Sequence, residues 1–234
     1  MTEHSSQIDL KVPRGVGQIV AAALRLYLQM PLLFMCLAGI IVIPYRIVDD
    51  LVTNARHASS ATVLVLLLAN VALVTPFIVA MQMQVLLDLG AGRRAAIPDV
   101  LARGLRALPM VAAAEIVASL IAFAGLVFFV FPGLLAAVRL AVAAPVAACE
   151  QVSWPEAIRR SFGLTRGSSW RVFGLILIED ALTYLVAAVT GAASPALVVI
   201  GILGAIIAQS FCMLLIGLLY FDLRAREAAP VASQ

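Results

Sequence analysis

The sequence predicts an all-α, polytopic membrane protein: six transmembrane helices in three hairpins, each hairpin preceded by a cytoplasmic amphipathic surface helix. Three observations carry this expectation. Of the 234 residues, 63% are apolar and 12% charged, with a mean hydropathy of +1.07, whereas an average soluble domain is roughly 25% charged. Six apolar runs have spanning length, and six spans of about 20 residues fill about half of such a chain. The Lys and Arg residues gather between alternate runs. An ordinary soluble domain is thereby excluded, because 16 basic and 13 acidic side chains give too little polar surface.

The chain begins with a polar tail, 1–12, and no signal peptide is expected, because the first apolar run starts only near Pro31 and no small-residue cleavage site follows it. The membrane domain covers 13–227, with spans at about 31–48, 61–87, 109–131, 133–149, 172–193 and 196–221, and a second tail covers 228–234. Uncharged turns join the third and fourth spans, through Phe131-Pro132-Gly133, and the fifth and sixth, through Gly191 to Pro195. Pro76 and Pro145 are expected to kink their spans, and Gly201 with Ala205 to offer a small-residue contact face.

Orientation follows from the positive charges, fifteen Arg and one Lys. Lys11, Arg14 and Arg25 precede the first span; Arg93, Arg94, Arg103 and Arg106 lie in the loop 88–108. Arg159, Arg160, Arg166 and Arg171 lie in the loop 150–171, and Arg224 and Arg226 follow the last span. Only Arg46 and Arg56 fall on the opposite side, and Arg139 lies within a span. Positive charge stays on the cytoplasmic side, so both termini are placed there.

Each arginine-bearing segment carries apolar residues at i, i+3, i+4, i+7, i+8 and i+11, the period of an amphipathic helix. The sets are Val16, Ile19, Val20, Ala23, Leu24, Tyr27; Ile97, Val100, Leu101, Gly104, Leu105, Leu108; and Trp154, Ala157, Ile158, Ser161, Phe162, Thr165. Position i+2 is Gln18, Asp99 or Glu156, and Arg103 and Arg160 follow one turn after the two acids, as i,i+4 pairs. Pro98 and Pro155 fit first turns, Ser153 to Glu156 reads as a capping box, and Gly167 stops the third helix before an interfacial Trp170. These helices are expected to lie on the inner leaflet with arginines toward anionic head groups. The result is a threefold pattern of surface helix plus hairpin.

Ionisable groups inside spans cost a few kcal/mol each and mark functional candidates. Here they are Glu115, Arg139, Glu179 and Asp180. At about 1.5 Å per residue, Arg139 and the Glu179-Asp180 pair fall near the middle of their spans, and Glu115 lies roughly 9 Å from the inner surface. Two readings stay open: a polar pocket receiving a head group or anion at Arg139, or an ion pair holding the fourth span to the fifth.

Catalytic patterns are lacking: there is no nucleotide-binding glycine loop, no metalloprotease or serine-hydrolase motif and no CxxC pair. The only histidines, His4 and His57, cannot make a metal site together, so no metal and no cofactor are expected. Cys36, Cys149 and Cys212 read as packing residues rather than a disulfide framework. The basic runs adjoin spans, which points to a membrane surface and not to nucleic acid.

Several motifs together resemble the membrane domain of glycerophosphoryl diester phosphodiesterases and related bacterial inner-membrane proteins. They are Phe131-Pro-Gly-Leu-Leu, Arg139, Ala144-Pro145-Val146 to Glu150, Glu156-Ala-Ile-Arg-Arg-Ser161, Leu164-Thr-Arg-Gly167, and Leu219-Tyr-Phe-Asp-Leu-Arg-Ala-Arg226. Arg139, Pro145, Glu150, Arg160 and Ser161 recur in that pattern. The resemblance implies a membrane module without the hydrolase, whose barrel and His-Arg-Gly motif have no counterpart here. The expectation is a noncatalytic module that binds phospholipid head groups or a membrane partner. Contacts are sought at Arg25, Arg103, Arg106, Glu150, Arg159, Arg160 and Arg166. The alternatives are a transporter of a lipid or small solute, with Glu115, Arg139, Glu179 and Asp180 along its path, and a subunit docking a cytoplasmic partner through the helix from Glu156 to Gly167.

Overall fold

The computed structural model describes residues 12–53, 59–190 and 195–228. His4, Lys11, Arg56, His57, the connection at 191–194 and most of both tails lie outside the described residues. The described residues form ten α-helices and no strand. They are α1 (Val16–Gln29), α2 (Pro31–Thr53), α3 (Ser60–Ala69), α4 (Thr75–Gly90), α5 (Ile97–Phe128), α6 (Val130–Leu140), α7 (Ala143–Glu150), α8 (Trp154–Thr165), α9 (Ser169–Thr190) and α10 (Pro195–Ala228). A π-helical turn, Asn70–Val74, joins α3 to α4 without interrupting the rod.

Among the described residues, five segments are long and apolar enough to cross a membrane: Pro31–Val52, Ser60–Gly90, Ile97–Phe128, Val130–Glu150 and Ile200–Ala228. The helix α9 has 22 residues, about 33 Å at 1.5 Å per residue, but it carries Arg171, Glu179 and Asp180.

Helix boundaries correct several expectations. The second amphipathic segment is not separate, because it runs into the following span as one 32-residue helix, α5. Pro109 lies inside it, where it removes one backbone donor without supplying a turn. The break before α6 falls at Phe129, whose backbone is extended, rather than at Phe131 to Gly133. Pro132 thus sits in the first turn of α6, the position that tolerates proline best. Gly133 serves a different end: any Cβ there would overlap Leu126 and Gly125 of α5, so the two helices meet backbone to backbone. The fourth span is split at Ala141-Val142 into α6 and α7. The Pro145 ring cannot coexist with an intact bond at the carbonyl four residues earlier.

The amphipathic segments pack alike. Positions i+3, i+7 and i+10 are buried in all three: Ile19, Ala23, Leu26; Val100, Gly104, Ala107; Ala157, Ser161, Leu164. The middle position is always small, which lets each helix approach its neighbour closely. Position i+8 remains outside as Leu24, Leu105 and Phe162, each 42–48% exposed. Each apolar stripe is therefore divided, one edge in the protein core and the other on the surface. Gly167, with φ +83°, ends α8 as its sequence position predicts, and Trp170 beyond it is 85% exposed. Ser153 stands at the α8 N-cap but its side chain makes no capping bond. Glu156 instead accepts from Arg159 at 2.6 Å, so the expected capping box does not form.

Candidate functional site

Three helices that run toward the arginine-rich side, α4, α7 and α10, carry a carboxylate near their last turn, and each carboxylate is clamped. Asp88, only 3% exposed at its side chain, accepts from Arg93 at 2.9 Å and from both terminal nitrogens of Arg103. Glu150 accepts from the buried Tyr220 hydroxyl at 3.0 Å and pairs with Arg160 at 3.5 Å. Asp222 pairs with Arg226 at 3.0 Å and Arg171 at 3.7 Å, and also accepts the backbone N–H of Arg14. Arg160 also forms a two-pronged pair with Glu227, 2.6 Å on each prong. That carboxylate, foremost among its neighbours, holds the Arg160 guanidinium above its ordinary pKa.

The expected i,i+4 pairs therefore do not form. Arg103 leaves Asp99 for Asp88, and Arg160 leaves Glu156 for Glu150 and Glu227. An exposed i,i+4 pair is worth about 0.3–0.5 kcal/mol, whereas a buried carboxylate without its partner costs several times that. For Arg103 the buried acid wins the arginine; Arg160 instead pairs with Glu227, which is as exposed as Glu156, together with the half-buried Glu150.

A second lock involves α6 and α8. The backbone carbonyl of Arg139 lies in the last turn of α6, where no following turn can bond it. It accepts the Ser161 hydroxyl at 2.8 Å and the Thr165 hydroxyl at 3.3 Å. Two contacts thus tie α8 to the fourth apolar segment, Ser161 with Arg139 and Arg160 with Glu150.

Between the helices lies a cavity of about 450 Å³. Its polar lining comprises Glu115 from α5, Glu179, Asp180 and Thr183 from α9, Gln209 from α10, Arg46 from α2, and Asn70 and Thr75 around the π-turn. The room comes from small residues, Ala137, Ala141 and Ala144 on one wall and Ala205 and Ala208 on another. No salt bridge joins Arg46 to Glu115, Glu179 or Asp180 among the described residues; it pairs with Asp49 at 3.4 Å.

Arg139 is not part of this cavity. In a helix, residues two apart point about 200° apart, so Ala137 faces the cavity while Arg139 faces away. Its side chain lines a separate groove of about 520 Å³ with Pro132, Leu135 and Ala136 of α6, Phe162 and Gly163 of α8, and Arg166. No salt bridge links Arg139 to Glu179 or Asp180, so of the two readings left open for Arg139 the ion pair between the fourth and fifth spans does not form.

Among the remaining predicted contacts, Arg103, Arg160 and Glu150 belong to the clamps, and Arg159 pairs with Glu156 on the exposed face of α8. Arg25 and Arg106 are exposed and join neither the cavity nor the groove. Asp88, Asp222, Glu227 and Arg46 were not singled out by sequence reasoning. The shared signal that reveals two of them is an acid followed by Leu at the end of an apolar run, Asp88-Leu89 and Asp222-Leu223. Comparison with family models, curated proteins and solved structures finds no match for this chain.

Proposed function

We propose that the chain is a noncatalytic, six-span module of a bacterial cytoplasmic membrane that takes the polar part of a lipid or a small solute into its central cavity. In this reading α9 also spans, as the fifth of six in chain order, and both termini are cytoplasmic, as the distribution of arginines suggests. The carrying observation is the gathering of Glu115, Glu179 and Asp180 from two apolar helices around one 450 Å³ space. Each ionisable side chain near a bilayer centre costs roughly 2.5–3.5 kcal/mol on insertion scales. Such a cost is relieved where the group faces a polar cavity, and the volume falls in the range of about 300–1,000 Å³ common to small-molecule sites.

The test is solvent access from within the membrane. In a background of Cys36→Ser, Cys149→Ala and Cys212→Ala, cysteines at Glu115, Glu179 and Leu120 are exposed to a charged, membrane-impermeant thiol reagent in vesicles. Positions 115 and 179 react, while Leu120, 57% exposed on the outer face of α5 near the middle of its span, does not. Equal rates at all three positions contradict the proposal.

A second reading, a module that binds phospholipid head groups, is favoured by the groove at Arg139 and Arg166. The motif resemblance to phosphodiesterase membrane domains is compatible with either.

A further inference from the structure

We propose that the groove between α6 and α8 seats one anionic phospholipid, its phosphate between Arg139 and Arg166 and its glycerol against Pro132, Leu135 and Phe162. This inference rests on the head-group reading and assigns it a place. It is independent of the central cavity.

Charge is the first argument. Neither guanidinium has a carboxylate within 4.0 Å among the described residues, whereas Arg93, Arg103, Arg160 and Arg226 are all held by acids. Two like charges lining one partly apolar groove repel each other unless an anion lies between them. A phosphate, which arginine binds through paired N–H donors, meets that need.

Shape is the second. The groove opens along the exposed side of α6, where Phe131, Leu134 and Leu135 are 77, 38 and 43% exposed. A free phosphate has no use for such a wall, whereas acyl chains continue along it into the bilayer. Exposed Trp154 and Trp170 flank α8, 45 and 85% exposed, and indole rings collect at membrane surfaces.

Preorganisation is the third. The bonds from Ser161 and Thr165 to the Arg139 carbonyl fix the last turn of α6 against α8. The groove is thus built from locked backbone. Gly163 leaves it open, since a Cβ at that position meets nothing within 4 Å.

That glycine supplies a test that leaves the charges alone. The full chain is purified from nanodiscs of equal phosphatidylglycerol and phosphatidylcholine, and retained lipid is counted by native mass spectrometry. Variants are Gly163→Trp, which fills the groove, Gly163→Ala as its control, and Arg139→Ala with Arg166→Ala. The wild type and Gly163→Ala keep one phosphatidylglycerol. Gly163→Trp and the double arginine variant lose it by tenfold or more, a change of about 1.4 kcal/mol.

Unchanged retention in Gly163→Trp overturns the site while leaving a lipid-binding module in place. If the wild type retains no phospholipid, the head-group reading itself falls, and the site with it. Displacement of the lipid by millimolar inorganic phosphate overturns the choice of a lipid as occupant. Should the double arginine variant fail to fold, the tryptophan variant alone decides.

Discussion

Replacing Asp88 by alanine is expected to be among the most damaging single changes on the arginine-rich side. Its carboxylate is 3% exposed, whereas Arg93 is 63% and Arg103 35% exposed. Arg93 returns to water when its partner goes, and contributes at most about 1 kcal/mol. Arg103 is more confined. Breaking a fully buried pair costs about 3–5 kcal/mol, and its partial exposure lowers the figure to about 2 kcal/mol. The total is about 3 kcal/mol, which at about 2–4 °C per kcal/mol for a chain of this size lowers Tm by about 6–12 °C. Unfolding in mild detergent can be followed by the loss of helical circular dichroism. A cycle with Arg103→Ala should return a coupling of about 1–2 kcal/mol. Arg159→Ala, which removes an exposed i,i+3 pair, sets the baseline at about 1 °C. If Asp88→Ala shifts Tm no more than Arg159→Ala, the clamp contributes nothing and the argument fails.

Other perturbations address packing and backbone. Gly104→Leu drives its side chain into Met81, whose Sδ lies 2.5 Å from the first added carbon, and should cost about 1–3 kcal/mol in the same melt. Gly167→Ala forces a Cβ into a backbone of φ +83° and should cost about 1 kcal/mol, with Gly163→Ala, in an ordinary helical turn, neutral or stabilising by up to about 1 kcal/mol. Ser161→Ala removes the better bond to the Arg139 carbonyl and should cost about 1 kcal/mol, leaving Thr165 as partial substitute. A loss under about 0.3 kcal/mol there would mean that the Ser161 hydroxyl adds nothing to what Thr165 already gives that carbonyl.

Much of the fold is legible because its signals are long and redundant. The apolar runs, Pro98, Pro155 and Gly167 each mark their elements independently of tertiary structure. The amphipathic stripes are also legible, but not their division. Period alone places Ala23 and Leu24 on one apolar face, whereas packing buries the first and exposes the second. Site geometry is less legible because it depends on helix phase and breaks. Sequence depth puts Arg139 level with Glu179, yet the 200° turn from Ala137 sends its side chain to the opposite wall. Arg46, which reads as a solvent-side charge, lines the cavity because α2 runs beyond the apolar stretch. The choice of Asp88 over Asp99 by Arg103 turns on burial, which no local spacing records.

The bond from the Arg14 N–H to Asp222 links residues 208 positions apart, and Arg226 donates back to the Arg14 carbonyl at 2.8 Å. Both anchors of the start of α1 therefore lie in the last helix. At about 5–20 residues per second of synthesis, α1 exists for about 10–40 s before α10 follows it. A chain that stalls before Asp222 keeps the stacking of Tyr27 on Phe34 of α2 but lacks both bonds that hold the start of α1.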